Sequence, residues 1–146
     1  MHKRYHIPFL VFLAWQLSTV SIAWADTPEG ELRVEVTGLK SSRGDVIFAL
    51  YNSPSTFTKQ AYKTAFVNIS NDKCEWVLKD EPHGDYAIVL VHDENGNHDM
   101  DNNFLGLPKE PYAFSNNVRP HLSAPPFKDA KFSVGKGETV VQIKLE

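Results

Sequence analysis

Nine consecutive residues carry the densest run of metal-ligating chemistry in the chain. Asp93-Glu94-Asn95-Gly96-Asn97-His98-Asp99-Met100-Asp101 sets oxygen-bearing side chains at its first, third, fifth, seventh and ninth positions. That spacing is how a calcium loop wraps a hard cation, because alternate side chains turn inward and the seventh position gives its backbone carbonyl. On this reading Asp93, Asn95, Asn97 and Asp101 are side-chain ligands, and Asp99 contributes its carbonyl. Four acids within nine residues also repel one another unless neutralised, which favours a cation. Two positions depart from the EF-hand pattern: His98 stands sixth, where glycine makes the sharp turn, and Phe104 stands twelfth, where a bidentate glutamate closes the shell. The competing reading is a solvated Asn/Gly/Asp turn whose side chains bond their own backbone. Both readings stay open at this point.

The segment that follows, 102–126, is too apolar to be solvated throughout. Its Phe104, Leu105, Leu107, Tyr112 and Phe114 either pack over the end of the fold or line a recognition surface, and packing is the commoner use. Long loops on a β scaffold are also where binding concentrates. The binding-loop candidates are therefore Phe104, Leu105, Tyr112, Phe114, Asn116, Asn117 and Arg119. Catalysis has less behind it. No Gly-x-Ser-x-Gly, His-Glu-x-x-His or phosphate-cradling glycine loop is present. A hydrolase site would have to be built on His92, Asp93, Asp101 and Arg119, without the further metal ligands such chemistry needs. The expectation is that the protein is not an enzyme. Arg43-Gly44-Asp45 reads as turn chemistry rather than an adhesion tripeptide, and Asn68-Ile69-Ser70 is a glycosylation sequon that matters only in a eukaryotic secretory pathway.

Strands must position these residues. Leu32, Val34 and Val36 alternate with polar neighbours, the period of a half-buried strand. Asp45 to Tyr51 is a more continuous apolar run. The segments 64–69 and 74–78 alternate around Ser70-Asn71-Asp72-Lys73 and read as a hairpin. Asp85 to His92 is apolar on both faces, as expected of a central strand. Alternation returns over 127–134 and, after Gly135-Lys136-Gly137, over 139–145. Residues 55–62 suggest one helical turn. The sum is an all-β, seven-stranded sandwich with one long loop between its fifth and sixth strands. Pro82-His83-Gly84-Asp85-Tyr86 places a tyrosine just inside the central strand, where its hydroxyl could reach back to the preceding backbone as a tyrosine corner.

The first 25 residues read as an address. His2-Lys3-Arg4 is a positive n-region, 7–17 an apolar stretch, and Ala23-Trp24-Ala25 a small-x-small cleavage signal before Asp26. Gln16, Ser18, Thr19 and Ser21 interrupt the apolar run, so no stable membrane anchor is expected after cleavage. The expected product is one domain, 26–146, secreted or periplasmic. Without Lys3 and Arg4 it keeps 13 basic and 18 acidic groups, a net charge of −5, which argues against a nucleic-acid partner. The single cysteine, Cys74, excludes an intramolecular disulfide and reads as a small buried hydrophobe.

The combination of Gly84-Asp85-Tyr86, His92-Asp93-Glu94-Asn95-Gly96-Asn97, Asp101, Asn103-Phe104-Leu105-Gly106 and Tyr112-Ala113-Phe114-Ser115-Asn116-Asn117 resembles the bacterial secreted family known as DUF2141. The likeness spans essentially the whole chain after residue 25. It implies a prealbumin-like or immunoglobulin-like sandwich and assigns no activity. Many members carry a second glycine where this chain has His98, a departure that bears on the metal geometry. Three function classes remain: a non-catalytic binding module, calcium-stabilised and presenting its loop to an unknown protein or carbohydrate; a structural envelope protein; and a metal-dependent hydrolase.

Overall fold

In a computed structural model, which describes residues 28–121 and 123–145, the chain is all-β and folds as two packed sheets. The expected leader, 1–25, lies outside the described residues. One sheet has the order β4-β1-β8, from Cys74–Pro82, Glu29–Thr37 and Gly137–Lys144. The other runs β3-β2-β5-β6, from Lys63–Asn68, Asp45–Tyr51, Gly84–Asp93 and Tyr112–Phe114, with β7 (Phe132–Val134) pairing the start of β5.

Alternation explains the main core. Leu32, Val34 and Val36 of β1 face Val46, Phe48 and Leu50 of β2 and Tyr86, Ile88 and Leu90 of β5, all buried. Each such side chain contributes about 1.5–3 kcal/mol relative to its exposed state. Arg33, on the outer face of β1, instead bonds Glu138 and Glu75, at 2.6 Å each. Cys74 is buried in the main core, and burial pushes its thiol up to about 11.

β5 is apolar on both faces because the larger sheet has a second apolar layer on its outer side. There Tyr51, Phe57, Ala87, Phe114, Phe127 and Ala130 cluster, with Phe57 edge-on to Tyr51 and to Phe127. The tyrosine corner is present: Tyr86 Oη donates to the Pro82 carbonyl at 2.8 Å.

Three local expectations differ. Tyr112–Phe114 adds an eighth strand too short to announce itself by periodicity. Residues 127–134 are split, with Phe127–Ala130 forming one helical turn closed by Lys131 N–H to the Phe127 carbonyl at 2.8 Å. That turn puts Phe127 and Ala130, three apart, on one face against the second core. Finally, Asn71 and Asp72 do form a left-handed two-residue turn bridged by Ser70 and Lys73, but β3 then pairs with β2 and β4 with β1. The turn therefore crosses between sheets, and no β3–β4 ladder extends beyond that bridge.

Candidate functional site

The last residue of β5 anchors the acidic loop. Asp93 is fully buried, and its two carboxylate oxygens accept the Gly96 and His98 amides at 2.8 and 2.7 Å. Burial opposes its charge, but the amides of His98, Gly96 and Asn97 outweigh burial and hold the carboxyl below its ordinary range. Backbone packs tightly beneath it. Gly44, at φ +68°, lies so close that an added Cβ would meet the Asp93 carbonyl oxygen at 1.8 Å. The Arg43 carbonyl lies 2.9 Å from His92 Nε2, so the Arg43-Gly44-Asp45 turn serves packing.

Beyond Asp93 the loop is a chain of side-chain-to-backbone bonds. Asn95 Oδ1 accepts the Asn97 amide, Asn97 Oδ1 accepts the Asp99 amide, and Asp99 Oδ1 accepts the Met100 amide. The Asn95 and Asn97 amide groups both donate into the Asp101 carboxylate, at 2.6 and 3.2 Å. Thus Asn95, Asn97 and Asp101 are brought together, while Asp93 holds the start of the loop. His98, the residue in the glycine position, adopts φ +62°, the left-handed conformation that glycine takes most easily. Its ring packs on Phe66 at 4.4 Å between centroids, and Nε2 lies 3.4 Å from Asp45 Oδ2. Among the described residues no three His, Cys, Asp or Glu side chains converge closely enough to hold a metal as they stand.

After Asp101 the chain doubles back. Lys109 N–H bonds the Asp101 carbonyl at 2.8 Å, Asn102 bridges Pro108, and Asn103 N–H bonds the Leu107 carbonyl. Asn103 Oδ1 clamps the tip by accepting the Leu105 and Leu107 amides at 2.9 and 3.0 Å. This short hairpin holds Phe104 95%, Leu105 68% and Leu107 58% exposed. Its return places Glu110 at Asp101, whose amide donates to Glu110 Oε2 at 3.1 Å. Spacing did not point to Glu110. The only hint in sequence is an acid set between Pro108-Lys109 and Pro111-Tyr112.

The other binding-loop residues divide. Phe114 is buried in the second core and Tyr112 packs on it edge-on, so neither is offered to solvent as Phe104 is. Asn116 and Asn117, both at left-handed φ, act as clips. Asn116 donates to the Asp129 and Lys131 carbonyls, and Asn117 accepts the Lys144 amide at 2.7 Å. Ser115 between them and β6 is buried, accepting the Ile88 amide and donating to the Ala130 carbonyl. Arg119 is exposed beside Tyr112 and Pro120. Of the hydrolase candidates, His92 and Asp93 are successive residues at the end of β5, where side chains alternate between the two faces of the sheet.

Between the outer face of the larger sheet and the long loop lies an open cleft of about 520 Å³. Ile47, Ala49, Val89 and Val91 form its floor, and Leu107 and Pro108 on the return arm of the hairpin form part of its rim. These floor residues are the alternate positions of β2 and β5 that do not enter the main core.

A family described as an uncharacterised protein conserved in bacteria, DUF2141, matches residues 34–142. No curated protein matches the chain significantly. Among solved structures, a pilus-presented adhesin aligns over 82% of this chain at 14% identity with a TM-score of 0.24. The chain spans about a quarter (27%) of that adhesin's length.

Proposed function

We propose that the chain, which belongs to the DUF2141 family, is a secreted or periplasmic, non-catalytic binding module that engages a protein partner through the apolar hairpin tip at Phe104, Leu105 and Leu107. The observation that carries this reading is the tip itself. Three large apolar side chains stand largely in solvent on a turn clamped by Asn103, Leu107 also rimming the cleft over the larger sheet. Clustered apolar exposure of this kind costs hydration free energy and marks interaction sites. A pre-ordered turn also lowers the entropy lost on binding.

Of the two partner classes, protein fits better than carbohydrate. Sugars stack on flat rings, and the tip offers one ring and two branched aliphatic chains, which suit an apolar pocket on a protein. A cation bound in the 93–101 loop would stiffen the base from which the hairpin springs. The non-catalytic part of the reading is supported by the successive, alternating positions of His92 and Asp93 in β5.

A photo-crosslinking side chain at position 104, installed in the producing bacterium, tests the reading, with position 77 on the outer face of the other sheet as control. A discrete protein adduct from 104 and none from 77 is expected. Equal labelling from both positions, or specific capture of glycan alone, overturns it.

A further inference from the structure

We propose that Glu110 is the twelfth-position ligand of an interrupted calcium loop that begins at Asp93. The inference rests on the calcium reading of the 93–101 segment and deepens it by completing the ligand set. A contiguous count of twelve from Asp93 ends on Phe104, which is almost wholly exposed at the hairpin tip and has no oxygen to give. The backbone, however, closes on itself between Asp101 and Lys109: the Lys109 amide bonds the Asp101 carbonyl, and Asn102 bridges Pro108. With the six residues 103–108 looped out, Lys109 becomes the eleventh residue of the loop and Glu110 the twelfth. Glutamate at that position supplies the bidentate carboxylate that a calcium loop requires.

The second, independent observation is the state of Glu110 itself. Glu110 is only 9% exposed, one of its carboxylate oxygens accepts the Asp101 amide, and the other, Oε1, is buried with no hydrogen-bond partner among the described residues. A buried carboxylate oxygen without a donor is unfavourable unless a cation completes it. Asp101, by contrast, already has the Asn95 and Asn97 amide groups on its two oxygens. The residue with unspent ligand capacity is thus Glu110. Its backbone position ties the loop to the base of the apolar hairpin.

In the calcium-bound form, Asp93, Asn95, Asn97, the Asp99 carbonyl, Asp101 and Glu110 supply oxygen to one ion. Among the described residues no three acidic side chains converge as they stand, so binding must draw Asp93, Asp101 and Glu110 together and displace the Asn amide groups from Asp101. That rearrangement, and a ligand set partly of neutral amides, places the affinity near the weak extracellular range of about 10⁻⁴–10⁻³ M. His98 and Lys109 are the basic residues within the loop and at its closure, and Glu94 adds negative charge without a ligand role.

The test is calcium titration of the chelator-treated full chain by calorimetry and thermal melting, with Glu110→Gln, Glu110→Asp and the non-ligand control Glu94→Gln. Wild type and Glu94→Gln should bind one calcium per chain and melt higher with it, and magnesium should do far less. Both Glu110 variants should lose at least about tenfold in calcium affinity. Glu110→Asp keeps the charge and is the informative variant if Glu110→Gln fails to fold. Calcium binding by wild type that is unchanged in Glu110→Asp overturns the Glu110 assignment and leaves a contiguous loop. Absence of calcium binding in wild type at millimolar metal overturns the calcium reading altogether.

Discussion

The buried carboxylate of Glu81, in β4, is paired with the ammonium of Lys63, in β3, so that one ion pair joins the two sheets. Glu81 is wholly inaccessible, whereas the Lys63 head is partly solvated. Its bond to Glu81 holds the Lys63 ammonium above its ordinary range. Lys63→Met strands the carboxylate in the interior and should cost on the order of 3 kcal/mol, an upper figure given the solvated lysine. The double change Lys63→Met with Glu81→Leu should recover most of that loss, because it removes the stranded charge. Urea midpoints with unchanged slopes measure both, and a double variant no more stable than the single would refute the pairing as the cause.

The Tyr86–Pro82 bond makes a second prediction with a definite pH signature. Removing the hydroxyl leaves the Pro82 carbonyl short of a donor, and Tyr86→Phe should cost about 1–3 kcal/mol. Burial pushes the Tyr86 hydroxyl up to about 12. The unfolded chain therefore ionises first, near pH 10, and binds fewer protons than the folded chain between about pH 10 and 12. The stability held by the neutral phenol is complete below pH 10 and is lost as pH rises through that window. Melts across it should fall more steeply for wild type than for Tyr86→Phe.

What could be read before folding follows from where the information resides. The alternation of Leu32, Val34 and Val36 is a local property, so β1 and its buried face are legible residue by residue. Its parallel pairing with β8, over a hundred residues away, is not, because periodicity carries no partner identity. The Asp93 loop is legible because its ligand-type residues are contiguous. The contact of Glu110 with Asp101 is hidden because the two lie nine positions apart with no periodicity linking them, and only the Asp101–Lys109 closure brings them together. Phe104 and Phe114 look alike as sequence, yet one crowns an exposed hairpin and the other fills the second core.

Processing makes a third prediction. With small residues at Ala23 and Ala25 before an acidic Asp26, N-terminal sequencing of the protein recovered from the periplasm or medium should begin at Asp26. Recovery of the full-length chain from the membrane fraction would contradict the cleavage reading.

The last prediction separates the order of the apolar tip from its chemistry. Asn103 Oδ1 is the acceptor shared by the Leu105 and Leu107 amides, and those bonds involve no buried core residue. Asn103→Ala should therefore leave global stability within about 0.5 kcal/mol, the usual range for a surface change. It should also free both amides, so their hydrogen exchange should rise while the amides of β5 stay protected. Binding through a pre-ordered tip must then weaken, because the partner has to order what Asn103 ordered before. Crosslinking yield from position 104 should fall in Asn103→Ala although Phe104, Leu105 and Leu107 are all retained. In Leu105→Ser the order of the tip should persist, with slow exchange at position 107, while the yield falls through lost apolar contact. An Asn103→Ala protein that exchanges rapidly at the tip yet crosslinks as well as wild type would show that the partner recognises the apolar side chains without needing the turn, and pre-organisation would drop out of the binding account.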